Sequence, residues 1–257
     1  MKKYTLLLLI IFFGSLDAHE SGIKGGYISR KHGEKTLPSL SYEKKQRPPY
    51  SWENDFTRRH FPITKEHFRC RGSGLNEERI EIEGEETVVI RDCLDGHRHT
   101  LPIHNDKEFI YPILIDILNH IQDQTGKKVV ITSGHRCPDH NRYVDPSKEN
   151  ETSKHLIGAE VSFYVEGMED QPLKVVDHIL GYYPDSNFSR FEKKTNVSTL
   201  PWYNKEIFIK LFLENEGRNK DNSHSFPYLS IQVRFDKDSQ ELVSYTWKKA
   251  HRGFKKK

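Results

Sequence analysis

The apolar spacing over residues 109–124 constrains this chain most. Ile110, Ile113, Leu114, Ile117, Leu118 and Ile121 recur three or four residues apart, which lines one face of a helix and leaves the other polar. Gly126 follows as a stop signal. Residues 129–132 are then a short apolar run rich in β-branched side chains, the pattern of a buried strand. A helix delivered directly to a buried strand calls for a sheet covered by helices. Residues 80–83 and 87–90 read as two strands joined through Gly84 and Glu85. Residues 160–165 form another strand, entered from a tight turn at Gly158. Residues 173–182 and 204–214 predict two further helices, and 198–203, with Pro201 and Trp202, a loop. Residues 228–236 and 242–247 close the chain as an antiparallel pair across Asp238 and Ser239. There is no regular β-α-β alternation, so the fold class is α+β: a small central antiparallel sheet with flanking helices.

The N-terminus has the three-part layout of a secretory signal over residues 1–18. Lys2 and Lys3 are its positive region, residues 6–13 its apolar core, and Gly14, Ser15 and Ala18 its small residues. That core is far shorter than the roughly 20 residues of a bilayer-spanning helix. The expectation is an exported, periplasmic or extracellular protein with no membrane span once the signal is cleaved. Residues 19–54 are polar, carry Pro48-Pro49 and show no hydrophobic period, so they predict a flexible leader. The folded domain is expected over 55–250, with a basic tail at 251–257.

With 40 Lys and Arg against 37 Asp and Glu, the charge is mixed and nearly balanced. A duplex-binding protein would show a basic stripe. Here basic residues gather only over 248–257, the pattern of a solvated, frayed end, so nucleic acid is not an expected partner. The three cysteines, Cys70, Cys93 and Cys137, predict one disulfide and one leftover thiol in an oxidising compartment. Cys70 and Cys93 flank the hairpin and are the preferred pair. A structural zinc held by Cys70, Cys93, His97 and His99 is the competing arrangement.

Two motifs stand out from this background. The first runs Val130-Ile131-Thr132-Ser133-Gly134-His135-Arg136, followed by Pro138, His140 and Asn141. The second is Ser153-Lys154-His155-Leu156-Ile157-Gly158-Ala159. In this order and spacing, over about 109–165, they resemble the zinc D-Ala-D-Ala carboxypeptidases and D,D-dipeptidases of the bacterial cell wall. The resemblance implies a zinc site built from the His of Ser-x-His, an Asp seven residues later and a His on a late strand. It also implies a substrate-holding Arg and a Glu base just before the late His. Such a zinc would keep an open position for water and lower its pKa, and an Arg fork suits a peptide carboxylate.

Carried over residue by residue, His155 matches the first ligand and Arg136, with Ser153, the substrate-binding positions. Ser162 stands where the Asp would be. Residues 228–232 contain no His, and Phe226 and Pro227 stand where the Glu would be. Alternation along a strand puts Glu160 on the same face as Ser162, making Glu160 the substitute acid or base. His224, a few residues before the late strand, completes a rearranged zinc set with His155 and Glu160. The resemblance thus implies a protein that cleaves or binds the D-Ala-containing stem peptides of peptidoglycan. The alternatives are a binding module that has lost zinc, and a secreted interaction protein reusing the fold.

Overall fold

The computed structural model describes residues 60–84, 86–94, 98–185, 187–190 and 200–256, together with two short strands nearer the N-terminus. Those strands, β1 (Tyr27–Ile28) and β2 (Leu37–Pro38), pair antiparallel within a first unit, Met1–Tyr50. The signal, the rest of the leader and His97 lie outside the described residues.

The second unit, Ser51–Lys257, opens with the hairpin β3 (Arg79–Glu83) and β4 (Glu86–Ile90) around Gly84. A two-residue ladder, β5 (Ile103–His104) and β6 (Lys107–Glu108), follows it. Helix α1 (Pro112–Thr125) starts at a proline, whose missing N–H costs nothing there. It ends where Gly126 turns left-handed at φ 61°. β7 (Val129–Ser133), α2 (Pro138–Val144), β8 (Glu160–Val165) and α3 (Pro172–Gly181) come next. Then follow β9 (Ser189–Arg190), β10 (Leu200–Tyr203), β11 (Ile207–Phe212) and β12 (Tyr228–Val233). A ladder of β13 (Phe235–Asp236) with β14 (Glu241–Leu242), then α4 (Trp247–Arg252), complete the chain.

Six strands form one antiparallel sheet in the order β7-β8-β12-β11-β10-β9. The expected α+β class is what the structure shows. Val161, Phe163, Leu229, Ile231, Ile209 and Leu211 are buried in one core with Leu114, Ile117, Leu118 and Ile121 of α1 and with α3. The alternate residues face the opposite side. There Ser162, Ser230 and Lys210 stand opposite one another in register across β8, β12 and β11. An irregularity between Ile131 and Ser133 brings Ser133 opposite Ser162, extending the row to β7. A bulge re-aims side chains in this way, by inserting one residue into the alternation.

Three expected elements differ. Residues 204–214 form a strand, β11, rather than a helix. Ile207, Ile209 and Leu211 are buried while Phe208 and Lys210 between them are less so, a period of two that pairing with β12 and β10 enforces. Residues 200–203 of the expected loop are the strand β10. The closing strand at 242–247 shrinks to β14, because Thr246 caps α4 by accepting a hydrogen bond from the Lys249 N–H. The basic end is anchored: Thr100 N–H donates to Lys255 O at 2.9 Å and Ile103 N–H to Gly253 O at 2.6 Å.

Gly134 sits where β7 meets the segment before the hairpin. His135 N–H donates to Phe68 O at 2.7 Å, and a Cβ on Gly134 would lie 2.6 Å from Phe68 Cα. Backbone on backbone leaves no room for a methyl group. Gly134→Ala is therefore expected to destabilise the domain by about 1–3 kcal/mol, measured as a lower urea midpoint. An unchanged midpoint would show that the contact gives way freely.

Candidate functional site

The row of small polar residues lines a cleft of about 510 Å³. Its walls include Arg136, Ser153, His155, Glu160, Ser162, Lys210, Ser230 and Gln232. Two local structures deliver the motif residues. Ser153 caps a 3-10 turn over Lys154–Ile157 by accepting the His155 N–H. Gly158, at φ 68°, closes that turn and leads into β8.

His155 is buried, and its ring orientation follows from its partners. Nδ1 lies 2.7 Å from the Gly134 carbonyl, so Nδ1 carries the proton. Nε2 is left as an acceptor 3.4 Å from Ser162 Oγ. Burial lowers the His155 pKa to about 4, so the ring is neutral near pH 7. Its Nε2 stands 3.9 Å from Glu160 Oε1, too far for a hydrogen bond. A base this weak is poorly matched to taking a proton from Ser162.

Glu160 is the electrostatic centre of the cleft. Its Oε1 accepts Ser230 Oγ–H at 2.7 Å and the Lys210 ammonium at 3.0 Å. Burial alone would raise this carboxyl, but the Lys210 charge, His155 and the Ser230 and Gln232 hydrogen bonds outweigh it. They hold Glu160 well below the usual carboxylate range.

Arg136 is also buried, and its Nε donates to Ser133 Oγ at 2.7 Å and to Asp221 Oδ2 at 2.8 Å. Among the described residues its two terminal nitrogens make no hydrogen bond. Asp221 continues to His140 Nε2 at 3.1 Å, and His140 Nδ1 reaches Asp92 Oδ1 at 2.7 Å. Burial pulls the His140 pKa down, but the two carboxylates outweigh it and lift it to about 9. The same network, against burial, holds Asp221 well below the carboxylate range. The result is a buried relay of alternating charge, Asp92–His140–Asp221–Arg136.

The comparison with known proteins gives one match. Residues 90–181 match the family model of Peptidase M15. No curated protein and no solved structure matches the chain. The match supports kinship with the M15 zinc peptidases, and it spans β7, α2 and β8, which carry Arg136, His155, Glu160 and Ser162.

M15 peptidases depend on zinc, yet this cleft does not suit it. The positions expected for the second and third ligands, Ser162 and Ser230, are directly opposed hydroxyls, which are poor zinc ligands beside carboxylate or imidazole. The carboxylate within reach, Glu160, is already neutralised by Lys210. Among the described residues, no three His, Cys, Asp or Glu donor atoms come together here. His224 does not join His155 and Glu160. Its Nδ1 lies 3.0 Å from Phe226 O and its ring stacks on Phe226 at 4.0 Å, and it is not part of the cleft wall.

Sequence reasoning places His155, Arg136, Ser153 and Glu160, and the structure brings all four to the cleft wall. It misses Lys210, because β11 reads as a helix, and it assigns no role to His140, although that residue belongs to the first motif. The alternation of Ile207, Ile209 and Leu211 fits a strand carrying Lys210, but the run is too short and too apolar to separate that strand from a buried helix. No local signal marks Asp221, which lies in the connection between β11 and β12.

The neutral, buried His155 makes the fold acid-sensitive. A histidine whose folded pKa is depressed contributes stability that is present above its unfolded pKa near 6.5. That stability is lost as pH falls toward the folded value of about 4. His155→Asn, which can still donate to Gly134 O, should reduce the stability lost between pH 7.5 and 4.5 by on the order of 2 kcal/mol. Urea titrations of both proteins at the two pH values measure this, and equal losses would refute a neutral His155.

Proposed function

We propose that this protein is an exported module that binds peptidoglycan stem peptides by their terminal carboxylate and does not hydrolyse them. The observation that carries this is the pairing of Lys210 with Glu160 beside two serines at the ligand positions. A fixed internal ammonium stands beside the Glu160 carboxylate, which lies across from His155. Arg136, in contrast, keeps its terminal donors uncommitted at the cleft wall.

The rest of the cleft supports the same chemistry. Arg136, Lys154, Lys210 and Arg218 bring four cationic side chains against the carboxylates of Asp145 and Glu160, a surplus that favours an anionic ligand. Polar side chains of Asn150, Thr152 and Ser153 line the approach and suit an extended peptide backbone. The volume lies within the range of small-ligand sites. Similarity to M15 peptidases supports a peptide of the bacterial wall as the ligand class. The layout of the first eighteen residues supports export. Among the described residues, no helix is long and apolar enough to cross a membrane.

Binding of a stem pentapeptide ending in D-Ala-D-Ala, and of its C-terminal amide, tests this by isothermal titration. The free acid is expected to bind and the amide to bind at least about 10-fold more weakly. Arg136→Lys, which keeps the charge but loses the fork, should show a similar loss. Mass spectrometry after prolonged incubation should recover the peptide intact. Release of D-Ala would make the protein a hydrolase, and equal affinity for acid and amide would remove the carboxylate from recognition.

A further inference from the structure

A second cluster lies outside the cleft, where four stretches of chain converge. Cys70 follows a 3-10 turn over Lys65–Phe68, and Cys93 follows β4. His99 bridges to Lys256 near the C-terminus, and Cys137 is the residue that caps α2. All four are buried. Their three sulfurs and one imidazole nitrogen lie within 4.8 Å of one another.

The expected Cys70–Cys93 disulfide is not what the structure holds. All three cysteines are free, and the two sulfurs are 3.8 Å apart, against about 2.05 Å for a bond. The competing zinc set is also revised, because Cys137 joins the group and His97 lies outside the described residues.

We infer that Cys70, Cys93, His99 and Cys137 form a structural zinc site of the Cys3His type, closed to substrate and separate from the cleft. Three observations carry it. Zinc–sulfur bonds of about 2.3 Å at the tetrahedral angle set two sulfurs about 3.8 Å apart, and the Cys70–Cys93 separation has that value. Cys93 Sγ to His99 Nε2, at 4.0 Å, is within about 0.5 Å of the corresponding sulfur–nitrogen edge of about 3.5 Å. His99 Nδ1 lies 3.2 Å from the Thr100 carbonyl, which assigns the proton to Nδ1 and leaves Nε2 for a metal, as outer partners of zinc-bound histidines do.

The surrounding backbone is shaped to the cluster. A Cβ on Gly72 would lie 2.0 Å from Cys93 Sγ, so the loop after Cys70 wraps the sulfur closely because it carries no side chain there. Gly74 N–H donates to Leu94 O at 2.9 Å and holds that loop to the strand end. The His140 N–H reaches Cys137 Sγ at 3.4 Å, a donor on a ligand sulfur. A disulfide would satisfy two of the three thiols and strand the third, whereas one zinc takes all four donors.

Such a site would cross-link the segment before the hairpin, the stretch after it and the start of α2. Cys137 is the neighbour of Arg136, and Cys93 of Asp92, so the metal would brace both ends of the relay that positions the cleft arginine.

The mature chain, purified without chelator and dialysed against trace zinc, is the sample for the test. Metal analysis should find one zinc per chain, absent from Cys137→Ser and retained in His155→Ala. Replacing zinc by cobalt(II) in the unaltered chain should give the intense visible bands of a tetrahedral ion with thiolate charge transfer in the near ultraviolet. That spectrum decides the matter even if Cys137→Ser fails to fold. A metal-free chain two hydrogens lighter would overturn the inference in favour of a disulfide. A metal lost in His155→Ala but kept in Cys137→Ser would overturn it in favour of the cleft, as would a cobalt spectrum without thiolate bands.

Discussion

The candidate site depends on the buried relay Asp92–His140–Asp221–Arg136. Each charge in it is acceptable in the interior because the next one is within 3.1 Å. Removing one member of a buried pair typically costs about 3–5 kcal/mol, since the partner is left charged and unpaired. The relay also joins parts of the chain distant in sequence: the end of β4, helix α2, the connection before β12 and the turn after β7. Arg136 is therefore held from behind. Its Nε is fixed, and its terminal nitrogens remain for something outside the protein.

A second buried ion pair defines the character of the cleft. In a zinc peptidase, a carboxylate and imidazoles facing one another are held together by the metal between them. Here the Glu160 carboxylate is balanced by the Lys210 ammonium, delivered from β11 one strand beyond Ser230. An ammonium has no open coordination position and cannot polarise a carbonyl as a Lewis acid does. The two serine hydroxyls fit that pairing. Ser230 donates to Glu160, and Ser162 faces the acceptor nitrogen of His155. The altered residues thus satisfy one another.

Much of the fold was legible in the sequence. The spacing of Ile110 to Ile121 marks α1 because helical periodicity is local, and Gly126 and Gly158 mark turns because only their backbones take positive φ cheaply. The region after 204 was not legible in the same way. Ile207 to Phe212 is too short and too apolar for a local pattern to separate strand from buried helix, and its partners are β10 and β12 rather than its own neighbours. The same distinction runs through the site. Arg136, Ser153 and His155 sit in local motifs, while Lys210, His140, Asp92 and Asp221 acquire their roles only from contacts across 48 to 85 residues of chain.

The sequence by itself determined the α+β class, the two motifs, and the absence of an Asp at 162 and of a His over 228–232, where the resemblance implies metal ligands. Those are matters of residue type and short spacing, which the chain carries whatever its fold. Only the tertiary structure decided that Ser162 and Ser230 stand face to face, that Lys210 neutralises Glu160, and that Cys137 comes together with Cys70, Cys93 and His99. The physical reason is that charge pairing and ligand geometry depend on separations of a few ångströms. Strand register and the bulge before Ser133 set those separations.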